Sequence, residues 1–199
     1  MNKLRHLHVT GMAVACSLPS GDLENSNKLH NLDTFSTVNV SLKQSLEEIV
    51  RKIPNICRLE IKLSQAKESF NRTLVLDSLS QLESLESLEV FPLNELLSHS
   101  IDYYFPSPLK DLTLNQLHLP WSKISLIEEL PNLEVLKLLI DSFVGTRWDM
   151  KGRFPKLRFL SSVNLGVVEW TDTDCDGDCF PSLQKLLLIE VSLKVEILV

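Results

Sequence analysis

The sequence predicts an α/β solenoid of leucine-rich repeats, with a curved parallel sheet on the concave side and irregular loops and short helices on the convex side. A phrase close to Leu-x-x-Leu-x-Leu occurs eight times, beginning at Leu4, Leu32, Ile56, Leu85, Leu109, Leu133, Leu157 and Leu183. Successive copies begin 24 to 29 residues apart, a period typical of leucine-rich repeats. We therefore expect residues 1–199 to form a single domain of about eight repeats. Such solenoids expose a broad binding face.

The sixth phrase, LEVLKL, shows why each copy forms a short strand. Leu136 and Leu138 are two residues apart, which is the period of a strand, so both side chains face the core. Val135, Lys137 and Leu139 alternate with them and face outward. One unit cannot enclose a core by itself, but eight stacked strands bury their leucines continuously.

The segments between the strands predict turns and short helices. Pro54, Pro131, Pro155 and Pro181 each stand just before a strand phrase. Proline cannot donate to a strand ladder, so it fits the turn that leads into the strand. Apolar residues at helical spacing predict helices within residues 41–52 and 122–130. The longest insertions, 11–28 and 91–107, are expected to be surface segments.

Composition narrows the classes of function. Lys and Arg number 20 against 26 Asp and Glu, a net charge of −6, which disfavours binding to nucleic acid. No apolar run approaches the roughly 20 residues that span a bilayer. The four cysteines show no disulfide framework, so we expect reduced thiols and an intracellular protein.

The sequence predicts neither catalytic residues nor a cofactor. Phosphate-binding loops, nucleophile elbows and zinc-binding His-Glu-x-x-His motifs are absent from the sequence. His6 and His8 share one face but lack a third ligand in nearby sequence, so they are interpreted as surface residues. Residues 171–179, TDTDCDGDC, resemble the start of a calcium loop. The twelfth position of that loop needs a bidentate Glu but holds Leu183, so we predict a solvated acidic loop and no metal site.

Several stretches carry a resemblance to a known family. In two places a tryptophan, Trp148 or Trp170, precedes a Phe-Pro pair that leads into a strand. The stretches concerned are residues 1–9, 31–40, 119–139, 143–170 and 180–188. They resemble plant disease-resistance proteins of the coiled-coil, nucleotide-binding, leucine-rich-repeat class, and within that class the late-blight-resistance type. The chain begins inside a repeat and lacks the coiled coil and the nucleotide-binding switch of that family, so we expect a fragment.

The resemblance implies a protein-binding region of an intracellular plant immune receptor, acting in effector recognition and autoinhibition. The implied partners are the nucleotide-binding switch domain of the parent receptor, a pathogen effector or a guarded host protein. Nucleic acid and small-molecule substrates are not expected as partners. The implied location is the cytoplasm, with peripheral attachment to membranes left open. Two alternatives remain: an F-box-type substrate adaptor, and a secreted leucine-rich-repeat inhibitor.

The outward residues of the last three units predict where a partner binds. In the middle units the outward positions are polar, as in Asp111, Thr113 and Asn115. In units six to eight they become largely apolar, and exposed apolar patches mark binding sites. The predicted concave-face contact residues are Val135, Lys137, Leu139, Phe159, Ser161, Val163, Lys185, Leu187 and Ile189.

Overall fold

Eight parallel strands form one sheet in a computed structural model of the chain. The structure describes residues 3–8, 28–41, 46–64, 74–75, 77–92, 101–102, 104–167, 169–172 and 178–191. The sheet strands are β1 (His6–His8), β2 (Thr34–Ser41), β3 (Arg58–Ser64), β5 (Ser87–Pro92), β7 (Asp111–Asn115), β9 (Val135–Leu139), β12 (Phe159–Val163) and β14 (Lys185–Ile189). Their order in the sheet is their order in the chain. The predicted solenoid is confirmed, with one sheet strand at each of the eight repeat phrases.

The core lies directly behind this sheet. Adjacent strands pair in register, so that Leu112, Leu136 and Leu160 lie side by side, and all three are fully buried. The leucine or isoleucine that opens a phrase is buried in units two to seven, as at Ile56 and Leu109, and partly buried at Leu4 and Leu183. Burying each such side chain contributes about 1.5–3 kcal/mol relative to leaving it exposed.

The second unit departs from the predicted phrase. The phrase LDTFST puts Thr37 at the third core position, but Val38 pairs with Ile61 and is fully buried. A bulge lies between Phe35 and Val38, where the register with β3 shifts. Thr37 has a φ of 67° there, and its hydroxyl donates a hydrogen bond of 3.0 Å to Glu60 Oε1. The extra residue re-aims Thr37 and lets an apolar side chain fill the core.

Short elements cover the convex side. The α-helices are α1 (Leu46–Lys52) and α2 (Ser125–Glu128), and 3-10 turns occupy Asp77–Gln81 and Trp121–Lys123. The remaining strands pair in parallel as β4 (Leu74–Val75) with β6 (Ile101–Asp102), β8 (Leu119–Pro120) with β10 (Phe143–Val144), and β11 (Arg147–Met150) with β13 (Glu169–Asp172). Both predicted helical regions contain helix, and α2 is shorter than its sequence pattern suggests. Among the described residues no helix has the length and apolar character needed to cross a bilayer.

The prolines mark the turns before the strands, as expected. Residues 54–55, 131–132, 155–156 and 181–182 are all turns. The residue after each proline ties its unit to the preceding one, and at three of these places it donates to a backbone carbonyl. Asn55 Nδ2 donates to the carbonyl of His30 at 3.0 Å, Asn132 Nδ2 to that of Ser107 at 3.0 Å, and Ser182 Oγ to that of Pro155 at 2.8 Å. These bonds help to fix the spacing of successive strands.

The cysteines differ from the expectation of reduced thiols. Cys57 is free, whereas Cys179 is disulfide-bonded and buried. Its partner and residues 173–177, most of the acidic loop, lie outside the described residues.

Candidate protein-binding surface

The outward side chains of the sheet form three rows across the strands, and the predicted contact residues occupy the C-terminal part of each row. In the first row Val135, Phe159 and Lys185 are aligned. The second row aligns Lys137, Ser161 and Leu187, and the third aligns Leu139, Val163 and Ile189. The structure thus brings all nine predicted residues together on three adjacent strands. We call the six apolar members the apolar patch: Val135, Leu139, Phe159, Val163, Leu187 and Ile189.

Exposure divides these nine residues unevenly. Ile189 is 42% exposed, Lys185 is exposed, and most of the others are half-buried. Ser161 is the exception at 4%, so it presents almost no side chain to a partner and is the floor of the surface. The short side chain lies between Lys137 and Leu187 on the flanking strands, which carry longer side chains. That Ser161 contacts a partner stays a prediction.

A lysine stands beside the aromatic member of the apolar patch. Lys185 Nζ lies 5.2 Å from the centre of the Phe159 ring, within the range of a cation–π contact. The contact holds the charged group over the ring face. Phe159 therefore keeps only part of its apolar surface available.

Acidic and basic side chains alternate in the middle of the concave face. In the second row Glu60 and Glu89 are direct neighbours on β3 and β5. Asp111 belongs to the first row and has Lys137 Nζ 4.0 Å from its Oδ2. Desolvation and then the charge of Glu60 raise the pKa of Glu89, and Lys137 opposes that rise. The negative charges here are only partly compensated by the chain's own lysines.

A buried carboxyl group connects the two units that carry most of the apolar patch. Glu128, at the end of α2, is 6% exposed, and burial raises its pKa. The carboxyl accepts hydrogen bonds from the backbone N–H groups of Gly152 and Lys151, which favour the charged form. The indole N–H of Trp148 approaches without reaching hydrogen-bond geometry, and neither Trp148 Nε1 nor Glu128 Oε1 has another partner among the described residues. Glu128 thus ties the segment before β9 to the segment before β12.

Stacked aromatic rings run along the convex side behind the apolar patch. The Trp148 ring centre lies 4.8 Å from that of Trp121 and 4.7 Å from that of Trp170, with interplanar angles of 17° and 9°. Trp121 Nε1 donates to the carbonyl of Gly145 at 3.1 Å. Gly145 has a φ of 119°, and a Cβ there would lie 3.2 Å from Trp121 Cδ1. The stack keeps units five to seven in a fixed relation, which holds the concave side chains in place.

No metal-binding group of side chains accompanies this surface in the described part of the chain. Groups of three or more His, Cys, Asp or Glu side chains able to hold a metal are absent there. His6 and His8 are exposed, in agreement with their interpretation as surface residues. An open groove of about 530 Å³ runs along the edge of the solenoid, lined by Glu134, Lys156, Arg158, Pro181, Ser182, Leu183 and Gln184. Lys156 Nζ there donates to Asn132 Oδ1 at 2.7 Å, so part of its charge is already engaged.

Sequence reasoning missed Glu89 and Glu128. Glu89 occupies an ordinary outward position, and its neighbour Glu60 becomes adjacent only when the strands align. Glu128 follows apolar residues at helical spacing and resembles a solvated residue at a helix end. Gly152, its contact, was the one available signal, because glycine is favoured where backbone approaches another group closely.

The repeat phrase, the register of the parallel strands and the open concave face together define a leucine-rich-repeat solenoid. Its concave surface is broad enough to contact another protein. Comparison with models of known protein families gives no match. The chain is 32% identical to a putative late blight resistance protein homolog, R1B-16, of Solanum demissum, over 99% of this chain and 15% of that protein. A second putative homolog from the same plant is 34% identical over 94% of this chain and 23% of its own length.

The late blight resistance protein R1-A of Solanum demissum is 32% identical over 94% of this chain. The chain covers 14% of that protein and thus spans only a small part of the relatives it matches. The resemblance predicted from the sequence is confirmed: this chain is homologous to a region of the late-blight-resistance proteins of plants.

Proposed function

We propose that this chain is the protein-binding repeat region of an intracellular plant immune receptor, and that it acts in effector recognition and in autoinhibition. The observation that carries the proposal is the apolar patch on β9, β12 and β14. Six apolar side chains line up in neighbouring rows at the C-terminal end of the concave face, whose middle strands are mostly polar apart from Phe91. Exposed apolar surface of this kind, bordered by lysines, is typical of protein contacts.

The proposed partners are a nucleotide-binding switch domain, a pathogen effector or a guarded host protein. A solenoid holds its contact residues on adjacent strands about 4.8 Å apart, so it can bind a broad protein surface without changing shape. Two such partners can compete for one face, and that competition would couple recognition to release of the switch domain. We further propose that the region is non-catalytic and cytoplasmic.

The test is co-expression in Solanum leaves of this chain with the nucleotide-binding region of the R1B-16 homolog, followed by co-precipitation. Phe159→Glu and Leu187→Glu each place a charge in the apolar patch and are expected to reduce co-precipitation at least tenfold. Thr34→Glu is the matched control, because it puts the same side chain in the first row at the opposite end of the sheet.

Circular dichroism of each purified variant checks that the solenoid remains folded. Equal co-precipitation by the folded Phe159→Glu, Leu187→Glu and Thr34→Glu chains would refute the assignment of the apolar patch. The same outcome with candidate effectors would remove this surface from effector recognition as well.

A further inference from the structure

Glu89 is a carboxylate in the middle of the concave face whose charge the nearby lysines offset only through space. Among the described residues the neighbouring acids have polar partners: Glu60 accepts a hydrogen bond from Thr37, and Asp111 lies 4.0 Å from Lys137 Nζ. No hydrogen bond or ion pair in that part of the chain involves Glu89, which is exposed. The positions next to it in its row are Glu60 and Thr113, and the charges of Lys137 and Lys62 act on it through space without forming an ion pair among the described residues. A cation arriving from outside would be favoured here.

The concave face drops to a low floor at Ser161, farther along the same row. Ser161 is 4% exposed. Phe159 and Val163 face the same way on its own strand, and Leu187 is its neighbour on β14. These taller apolar side chains surround a shallow depression. Its walls suit an apolar side chain and offer nothing to a charged one except Lys137 and Lys185.

The two features are separated by a distance that an extended chain can match. Glu89, Thr113, Lys137 and Ser161 follow one another along the second row, so Glu89 and Ser161 are three strand spacings apart. At about 4.8 Å per spacing the separation is about 14 Å. An extended segment rises about 3.3–3.4 Å per residue, and residues four apart point to the same side.

We propose that the concave face binds an extended protein segment with a basic side chain at Glu89 and an apolar side chain, four residues away, over Ser161. This inference rests on the proposed function and specifies the chemistry of the partner. Lys137 lies between the two contacts but is directed towards Asp111, so it leaves the carboxylate of Glu89 available. The apolar contact supplies affinity, and the charge pair fixes register and orientation.

The experiment is selection of a random nine-residue peptide display library on the purified 199-residue chain. We expect enriched peptides to carry Lys or Arg and a large apolar residue four positions apart, in either direction. Enriched peptides are then titrated against variants. Glu89→Gln should weaken binding about fivefold, and Glu89→Lys should weaken it further. Added salt should weaken binding to the wild-type chain more steeply than binding to Glu89→Gln.

Glu86→Gln is the matched control, because Glu86 lies in the same unit but outside the rows and is paired with Lys110 at 2.8 Å. It should leave binding unchanged. Phe159→Ala should weaken every enriched peptide through loss of the apolar wall, whatever its charge. Glu86→Gln and Phe159→Ala both change residues near the surface, and a thermal melt of each variant checks that it remains folded.

The possible outcomes separate failure of this inference from failure of the proposed function. Two outcomes overturn this inference but leave the proposed function intact, provided that the peptides lose affinity with Phe159→Ala. Either the enriched peptides lack a basic residue, or they bind Glu89→Gln as well as they bind the wild-type chain. Enrichment of acidic peptides overturns it too, since it would assign recognition to Lys137 and Lys185. If no peptide is enriched, or none responds to Phe159→Ala, both this inference and the proposed binding surface fail.

Discussion

Substituting Gly152 with alanine should destabilise the solenoid by disturbing the buried contact with Glu128. A Cβ at residue 152 would lie 2.8 Å from Glu128 Cβ and 2.9 Å from Glu128 Oε2. Carbon atoms pack best at about 3.5–4.0 Å, so either α2 or the segment after β11 must move. Overpacking of this kind costs about 1–3 kcal/mol.

The same movement disturbs the hydrogen bonds that the Gly152 and Lys151 backbone donates to the buried carboxyl group. Leaving a buried polar group unsatisfied costs about 1–3 kcal/mol. We therefore expect the free energy of unfolding to fall by about 2–4 kcal/mol for Gly152→Ala. For a chain of this size that loss lowers Tm by roughly 5–10 °C.

Urea titration followed by far-ultraviolet circular dichroism measures the loss, and Gly166→Ala provides the control. No atom lies within 4 Å of a Cβ built on Gly166, and neither glycine has a positive φ. The two substitutions therefore remove the same backbone freedom and differ only in the space around the new methyl group. A Gly152→Ala chain as stable as Gly166→Ala would refute the reasoning about Glu128.

Three further predictions follow from single residues. Ile140 has a φ of 34° and is 39% exposed; Ile140→Asn should raise the free energy of unfolding in urea by about 1 kcal/mol, because asparagine tolerates the left-handed region. Burial raises the pKa of Glu128 in the folded state. Ionisation of this carboxyl group therefore opposes folding, and stability is lost as the pH rises from the ordinary pKa of a glutamate through the folded-state pKa of Glu128. Wild type should therefore gain stability relative to Glu128→Gln as the pH is lowered from neutral, and a constant difference would contradict this. Leu186 is 41% exposed on β14, the last sheet strand among the described residues; the chain should self-associate at high concentration, and Leu186→Lys should reduce the sedimentation coefficient to that of a monomer.

The repeat phrase predicts the sheet well, because a strand that must bury one face leaves a strict period in the sequence. Leu136 and Leu138 could be assigned to the core from that period alone, and the pairing of Phe159 with Val135 follows from stacking the phrases. The bulge at Thr37 was beyond this reasoning. The phrase tolerates a threonine at the third core position, and only packing against Ile61 determines that Val38 replaces it.

Side-chain partners between units were harder to predict than strands. The contact of Glu128 with Gly152 joins two irregular segments, where no period constrains the residues. The burial of Ser161 depends on the height of the side chains on both neighbouring strands, which a single phrase does not contain. The sequence thus identifies which residues form the rows of the concave face, whereas the heights of neighbouring side chains along those rows depend on the assembled sheet.

The tryptophan signal of this protein reports on the unfolding of only part of the solenoid. Trp121, Trp148 and Trp170 are the chain's three tryptophans, and all of them belong to one column in its C-terminal half. Their emission therefore registers the melting of units five to seven and is silent about β1 to β3. Since a solenoid is held together by nearest-neighbour interfaces, its two ends can melt separately. The difference between the tryptophan signal and the amide signal during one titration would show which end opens first, without any added label.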